Sequence, residues 1–193
     1  METLEGVRIG FAMTGSFCTF SKAFAAAEQL VSLGAELVPI LSEHAAGIST
    51  RFGTAQEMQE RIETIAGRKA ILTIEDAEPI GPKHLTDIMA VVPCTSNTAA
   101  KLAHSITDTS VTMAVKSHLR TGKPVVLAVA SNDALAGSLK NLGLLANMRH
   151  YYLVPLQRDD PVRKPSSLVA DFSQTTETIL RALQLDCQLD TKG

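Results

Sequence analysis

Six apolar runs of strand length punctuate the chain, at residues 7–13, 36–41, 70–73, 88–92, 124–130 and 151–155. Several are continuous rather than alternating, the pattern expected of strands covered on both faces in a parallel sheet. Helical spacing of apolar positions falls between and after them, at residues 22–33, 54–66, 97–105, 110–121, 133–146 and 172–185. Strands alternating with helices imply right-handed βαβ crossovers. The expected fold is α/β in three layers, a doubly wound, parallel, six-stranded sheet of Rossmann-like or flavodoxin-like type. Two stretches break the rhythm. In residues 42–53, Gly47 and Gly53 bracket polar residues, and in residues 157–167, Pro161 and Pro165 sit among charges. Both are expected to be long connections, which in compact domains are usually functional or mobile.

The 193 residues are read as a single domain. With 45% hydrophobic and 20% charged residues, a disordered or fibrous chain is excluded. A net charge of −2 and no run of Lys or Arg longer than a pair remove the footprint of a nucleic-acid or anionic-membrane binder. Small-molecule or protein partners are expected instead. Residues 1–6 carry two Glu and lead into an apolar run of one strand's length, without a cationic signal region, so a cytoplasmic location is expected. Cys18, Cys94 and Cys187 are odd in number and far apart, fitting neither a disulfide framework nor zinc spacing, so no metal is expected.

Ligands of open parallel sheets bind at the carboxyl ends of the strands, so the strand exits are where chemistry is sought. Four exits stand out. After the first strand, Gly15 permits close backbone approach, and Ser16, Thr19 and Ser21 offer hydroxyls where a helix N-terminus favours phosphate. Ordinary helix capping explains the same residues, and a single Gly matches neither the dinucleotide fingerprint nor the P-loop. After the second strand, Ser42 replaces the acidic residue that would hold a ribose in a dinucleotide fold, which suits a mononucleotide phosphate or, again, a cap. The third exit, residues 93–103, runs from Pro93 through Thr95, Asn97 and Thr98 to a helix with small Ala99, Ala100 and Ala103. Its polar groups can meet a planar ligand or cap that helix. At the fourth, Asn132 can contact a ligand edge or cap the helix starting at Asp133.

In this order, the four segments resemble the flavoprotein family that includes FMN-dependent cysteine decarboxylases and flavin prenyltransferases. Gly15 and Ser16 resemble its first phosphate loop, Ser42 its second hydroxyl, Pro93 to Thr98 its proline, small-residue and Asn-Thr segment, and Ile106 to Asp108 its Ile-Ala-Asp. Within the family, residues 106–114 (ITDTSVTMA), 123–129 (KPVVLAV), 131–135 (SNDAL) and especially 159–170 (DDPVRKPSSLVA) are similar to the dipicolinate synthase B subunits. That resemblance implies a part in oxidising a dihydrodipicolinate-type intermediate to dipicolinic acid during bacterial sporulation, beside a separate A subunit that binds NAD(P). It further implies FMN, with Gly15, Ser16 and Ser42 on its phosphate and Thr95, Asn97, Thr98 and Asn132 near the rest; whether the isolated chain retains flavin stays open. Arg163, Lys164 and Ser166 would meet the carboxylates of a pyridine-type diacid, or else form a solvated loop or a contact with the A subunit.

The departures from the family narrow the chemistry. The decarboxylases' catalytic histidine falls at about Pro79, His84 nearby reading as an exposed loop residue, and only Ala130 and Asn132 survive of their Pro-Ala-Met-Asn. Met113 or its neighbours replace the prenyltransferases' basic residue. Decarboxylation and prenyl transfer are therefore disfavoured, and no general base is assigned. The competing readings are a noncatalytic partner that has kept the fold and an FMN enzyme with another small substrate. Homo-oligomers are expected, because related flavoproteins close their site with a neighbouring subunit, for which the Ala-rich helix at residues 97–103 is a candidate contact.

Overall fold

The computed structural model describes residues 3–190, excepting the side chains of residues 186–190, among them Cys187. Five strands form the parallel sheet: β1 (Arg8–Met13), β2 (Glu36–Leu41), β3 (Ile88–Thr95), β4 (Val125–Ser131) and β5 (Tyr151–Leu153), in the spatial order β2-β1-β3-β4-β5. A hairpin of β6 (Leu156–Arg158) and β7 (Leu168–Ala170) completes a seven-stranded sheet. β4 shares one edge between two neighbours. Its first half pairs in parallel with β5, and its last two residues pair antiparallel with β7, Ala130 opposite Val169 and Ser131 opposite Leu168.

Side chains alternate along each strand, so each strand feeds two cores. Ile9, Phe11 and Met13, Ile88, Ala90 and Val92, with Val126 and Ala128, pack on one face beneath α1 (Phe20–Ser32), α3 (Ala55–Ala66) and α8 (Thr175–Asp190). Ala12, Met89, Val91 and Cys94, with Val125, Leu127 and Val129, pack on the other beneath α4 (Ile74–Ala77), α5 (Ser96–Ala103), α6 (Ser110–Leu119) and α7 (Leu139–Asn147). Helix ends follow local chemistry. A capping box between Thr54 and Glu57 opens α3, and Gly67, at φ 65°, closes it in the left-handed conformation that glycine adopts without penalty.

The expected elements differ from the observed ones at four places. Residues 70–73 make only a bridge, Ile71 exchanging hydrogen bonds with Pro39 and Leu41, because Thr73 at once caps α4 and turns the chain away. Residues 157–167 are not a plain connection: they run out of β6 and return into β7. Within residues 42–53 the chain forms α2 (Glu43–Gly47), capped by Ser42. The helix expected from Asp133 starts later, at Leu139, because the Asp133 carboxylate accepts the hydroxyls of Ser131 (2.7 Å) and Ser138 (2.8 Å) and holds a turn. Of the Ala-rich helix α5, Ala99, Leu102 and Ala103 are buried in the second core within this same chain. Among the described residues, no helix is long and apolar enough to cross a membrane.

His118 is a buried polar anchor between α6 and the sheet, 1% exposed. One ring nitrogen lies 2.8 Å from the Thr86 hydroxyl and the other 3.0 Å from the Pro124 carbonyl, an arrangement that suits the neutral ring. Burial pushes its pKa down to about 4. The unfolded ring binds a proton below pH ~6.5 that the folded ring refuses, so this group costs stability progressively as pH falls from ~6.5 to about 4 and costs none above. The full penalty is about 3 kcal/mol. Urea unfolding across that range should show a shallower pH slope in His118→Gln, which has no proton to titrate, than in the native chain, the lowered carboxylates such as Asp87 and Glu63 supplying what remains.

Candidate active site

The carboxyl ends of β1 and β3 are joined by one buried hydroxyl. Thr14, immediately after β1, donates through Oγ1 to the Pro93 carbonyl at 2.9 Å and accepts from the Thr95 amide at 2.9 Å. The Thr14 amide also donates to the Pro93 carbonyl. The Val92–Pro93 peptide is cis, and the register with β4 shifts between Val91 and Cys94, so the backbone around Pro93 leaves the regular ladder just where Thr14 meets it. Thr95 ends β3 and caps α5: its hydroxyl accepts from the Thr98 amide and donates to the Thr98 hydroxyl at 3.1 Å.

Ser42 leaves β2 alongside, its amide bonded to the Met13 carbonyl and its hydroxyl capping α2 through the Ala45 amide. α6 is pinned to the same edge. The Ser110 hydroxyl donates to the Leu41 carbonyl at 2.6 Å, and the Ser110 amide donates to Glu43 Oε1 at 3.2 Å. Thr109 caps α6 by a reciprocal pair with Thr112.

Between these exits lies a cleft of about 310 Å³, lined by Gly15, Ser42, Thr95, Asn97 and Thr98 together with Thr14, Phe17, His44, Lys101 and Thr109. A Cβ placed on Gly15 would come 3.4 Å from the His44 Cβ, so the glycine keeps the mouth of the cleft wide rather than relieving a clash. The first turn of α5 and the N-cap of α6 contribute donor groups and positive dipole ends to the walls. The two charged side chains on the lining are committed elsewhere: Glu43 to the Ser110 amide, and Lys101 to both oxygens of Asp108 at 2.8 and 2.9 Å. Hydroxyls, amides and helix ends with one aromatic ring, Phe17, make a donor set suited to a phosphate-bearing planar molecule.

Five of the residues singled out from sequence therefore meet in one cleft. Ser16 and Asn132 are not among its lining: Ser16 turns the chain, its carbonyl accepting the Thr19 hydroxyl at 2.8 Å, and Asn132 is exposed beyond β4. Arg163, Lys164 and Ser166 sit in the β6–β7 loop. Lys164 pairs with Asp159 at 2.6 Å, Arg163 is 88% exposed with Asp160 4.0 Å away, and the Ser166 carbonyl accepts the Leu135 amide. His84 lies at the opposite end of the sheet, its carbonyl bonded to Arg8 at the start of β1. Sequence reasoning does not single out Thr14, Phe17, His44, Lys101 or Thr109 as site residues. Thr109 had a local signal in its capping spacing to Thr112, whereas Thr14 and Lys101 acquire their places only through tertiary contacts.

A family model described as Flavoprotein matches residues 1–175. The chain belongs to the flavoprotein family. Among its relatives, the B subunit of dipicolinate synthase from Bacillus subtilis (strain 168) is 42% identical over 183 residues, covering 95% of this chain and 92% of that one. The crystal structure of the dipicolinate synthase B subunit from Bacillus halodurans C superposes with a TM-score of 0.87 at 37% identity, covering 95% and 94% of the two chains. Within the flavoprotein family this chain groups with the dipicolinate synthase B subunits. The FMN-dependent cysteine decarboxylase SpaF shares the fold at a TM-score of 0.72 and 22% identity, with 96% and 99% covered. The family thus includes proteins that use FMN, and the hydroxyl-rich cleft fits that group's phosphate and polar chain.

Replacing Thr14 by Val deletes the hydroxyl, leaving the Thr95 amide without its partner and the Pro93 carbonyl with the Thr14 amide alone. Stability should fall by about 1–3 kcal/mol in urea unfolding. The Thr95 amide should also lose its protection against hydrogen exchange ahead of the core strands, because only the strand exits lose their tie.

Proposed function

We propose that this chain works as the B subunit of a dipicolinate synthase, taking part in the oxidation of a dihydrodipicolinate-type intermediate to dipicolinic acid during sporulation. An NAD(P)-binding A subunit is its partner. The observation that carries this reading is the convergence of Gly15, Ser42, Thr95, Asn97 and Thr98 on one cleft at the strand ends of a chain 42% identical to a dipicolinate synthase B subunit.

FMN is the proposed occupant, and when bound it would supply a hydride acceptor for the dehydrogenation. The Gly15 backbone and the Ser42 hydroxyl would hold the phosphate, and Thr95, Asn97 and Thr98 would orient the remainder, with Ser16 and Asn132 beside the cleft rather than on its lining. His44, exposed on the lining and with no side-chain hydrogen bond among the described residues, is the side chain available to move a proton there. Arg163 and Lys164, with Ser166, present cations and a hydroxyl to the carboxylates of the diacid. Lys164 would exchange its Asp159 partner for one of those carboxylates, and Arg163 is already open to solvent.

A second reading, a noncatalytic partner that completes or shapes the A subunit's site, draws support from the cleft's charges. Glu43 and Lys101 both serve internal contacts, which leaves little dedicated acid–base apparatus.

The visible spectrum of the purified chain, alone and with the A subunit, separates these readings when combined with an oxidation assay. A flavin band with turnover only in the mixture supports the first. A colourless chain that still raises turnover supports the second. Under the first reading, Ser42→Ala and Thr98→Val each weaken FMN binding about tenfold. Arg163→Ala with Lys164→Ala lowers turnover about a hundredfold or more while the chain stays folded. Unchanged turnover in that double variant would remove the loop from the substrate site.

A further inference from the structure

A second cavity of about 330 Å³ is lined by the last turn of α5, the loop that follows it, one face of α6 and the start of β5, and it shares no lining residue with the cleft. Its floor is apolar, from Leu102 of α5 and Val115 and Leu119 of α6. Its charged groups are Lys116 of α6 and Arg120 at that helix's C-terminal end, and its neutral polar groups are Ser105, Thr107, Thr112 and the phenol of Tyr151 at the start of β5. Lys116 and Arg120 stand four residues apart, on one helix face, with Cβ atoms about 6 Å apart. Neither cation has an ion pair or side-chain hydrogen bond among the described residues, in contrast to Arg8, Lys69, Lys101, Lys123 and Lys164, each paired with a carboxylate. The cavity lining contains no acidic residue.

Tyr151 adds an independent mark. Its hydroxyl has no partner among the described residues, and burial pushes the phenol up to about 12, so it stays a neutral hydrogen-bond donor. An apolar floor with two unpaired cations and neutral donors on its rim has the composition of a site for an anion with a flat apolar body. A single carboxylate would satisfy one cation and leave the other unanswered. A ring bearing two carboxylates can answer both cations at once while its apolar body meets the Leu102, Val115 and Leu119 side chains of the lining.

We propose that the α5–α6 cavity is a binding site for a small aromatic dicarboxylate, separate from the flavin cleft and from the β6–β7 loop. Lys116 and Arg120 each take one carboxylate, and Tyr151 donates to one of them. Occupation would brace α5 against α6, the two helices whose caps, Thr95 and Thr109, shape the cleft.

The test is calorimetric titration of the full chain without partner or flavin, so that its result is independent of the proposed activity. The probes are pyridine-2,6-dicarboxylate, isophthalate, which has the same shape without the ring nitrogen, and benzoate as the single-carboxylate control. The starting protein is the Arg163→Ala/Lys164→Ala chain, which lacks the loop's cations. Both dicarboxylates should bind it, at least about tenfold more tightly than benzoate, and Lys116→Ala or Arg120→Ala should each weaken them by about tenfold. Thr98→Val, in the flavin cleft, should leave their binding unchanged. Circular dichroism of each variant checks that these exposed substitutions leave the fold intact. Loss of binding in the starting chain, an effect of Thr98→Val larger than that of Lys116→Ala, or benzoate binding as tightly as the dicarboxylates would each overturn the proposal.

Discussion

The site depends on the hydroxyl of Thr14. Parallel strands are held together along their length by backbone ladders, but their exits are not, and each exit here must adopt a non-strand conformation to turn toward a helix. A buried backbone group left unpaired at such a place costs about as much as a lost hydrogen bond. Thr14 meets this need at two neighbouring points, accepting the Thr95 amide and donating to the Pro93 carbonyl, and so fixes the exit of β1 against that of β3. Ser110 does the corresponding work at the exit of β2, tying α6 to the Leu41 carbonyl. Between these two ties the cleft has a fixed width.

Capping and ligand binding, which compete as explanations of the same Ser and Thr residues in the sequence, coexist in the structure. Ser42 and Thr95 both cap helices and both line the cleft. The physical reason is that a cap positions a hydroxyl at the place where a helix end leaves amide groups to face a ligand. A hydroxyl that accepts from an amide retains a proton to donate elsewhere.

How much could be read in advance follows from the range of the forces involved. β2 was legible residue for residue, because an apolar run bounded by a turn is a local signal. The helix expected at residues 54–66 was equally local, and so was the order of the four polar exits that carries the family resemblance. The hairpin of β6 and β7 was not legible: its strands are three residues each, and only their pairing with each other, and of β7 with Ala130 and Ser131 of β4, makes them strands. The run at residues 70–73 erred the other way, having strand composition but only one bridge available beside β2. Gly15, Ser42, Thr95, Asn97 and Thr98 could be gathered from sequence because strand exits converge in any such sheet, whereas Thr14 and Lys101 depend on which neighbours the fold supplies.

The shared edge of β4 bears on how such a chain can change over time. The hairpin pairs with β4 through two residue pairs only, beyond the stretch that β5 occupies; its base is anchored by Ala170 in the first core, and residues 159–167 stand outside the ladder. An arm attached in this way is a module: its length and composition can drift while the body it hangs from stays constant. Families built on this plan can thus vary the loop at the rim without redesigning the cleft at the strand exits, so the rim can diverge while the centre is inherited.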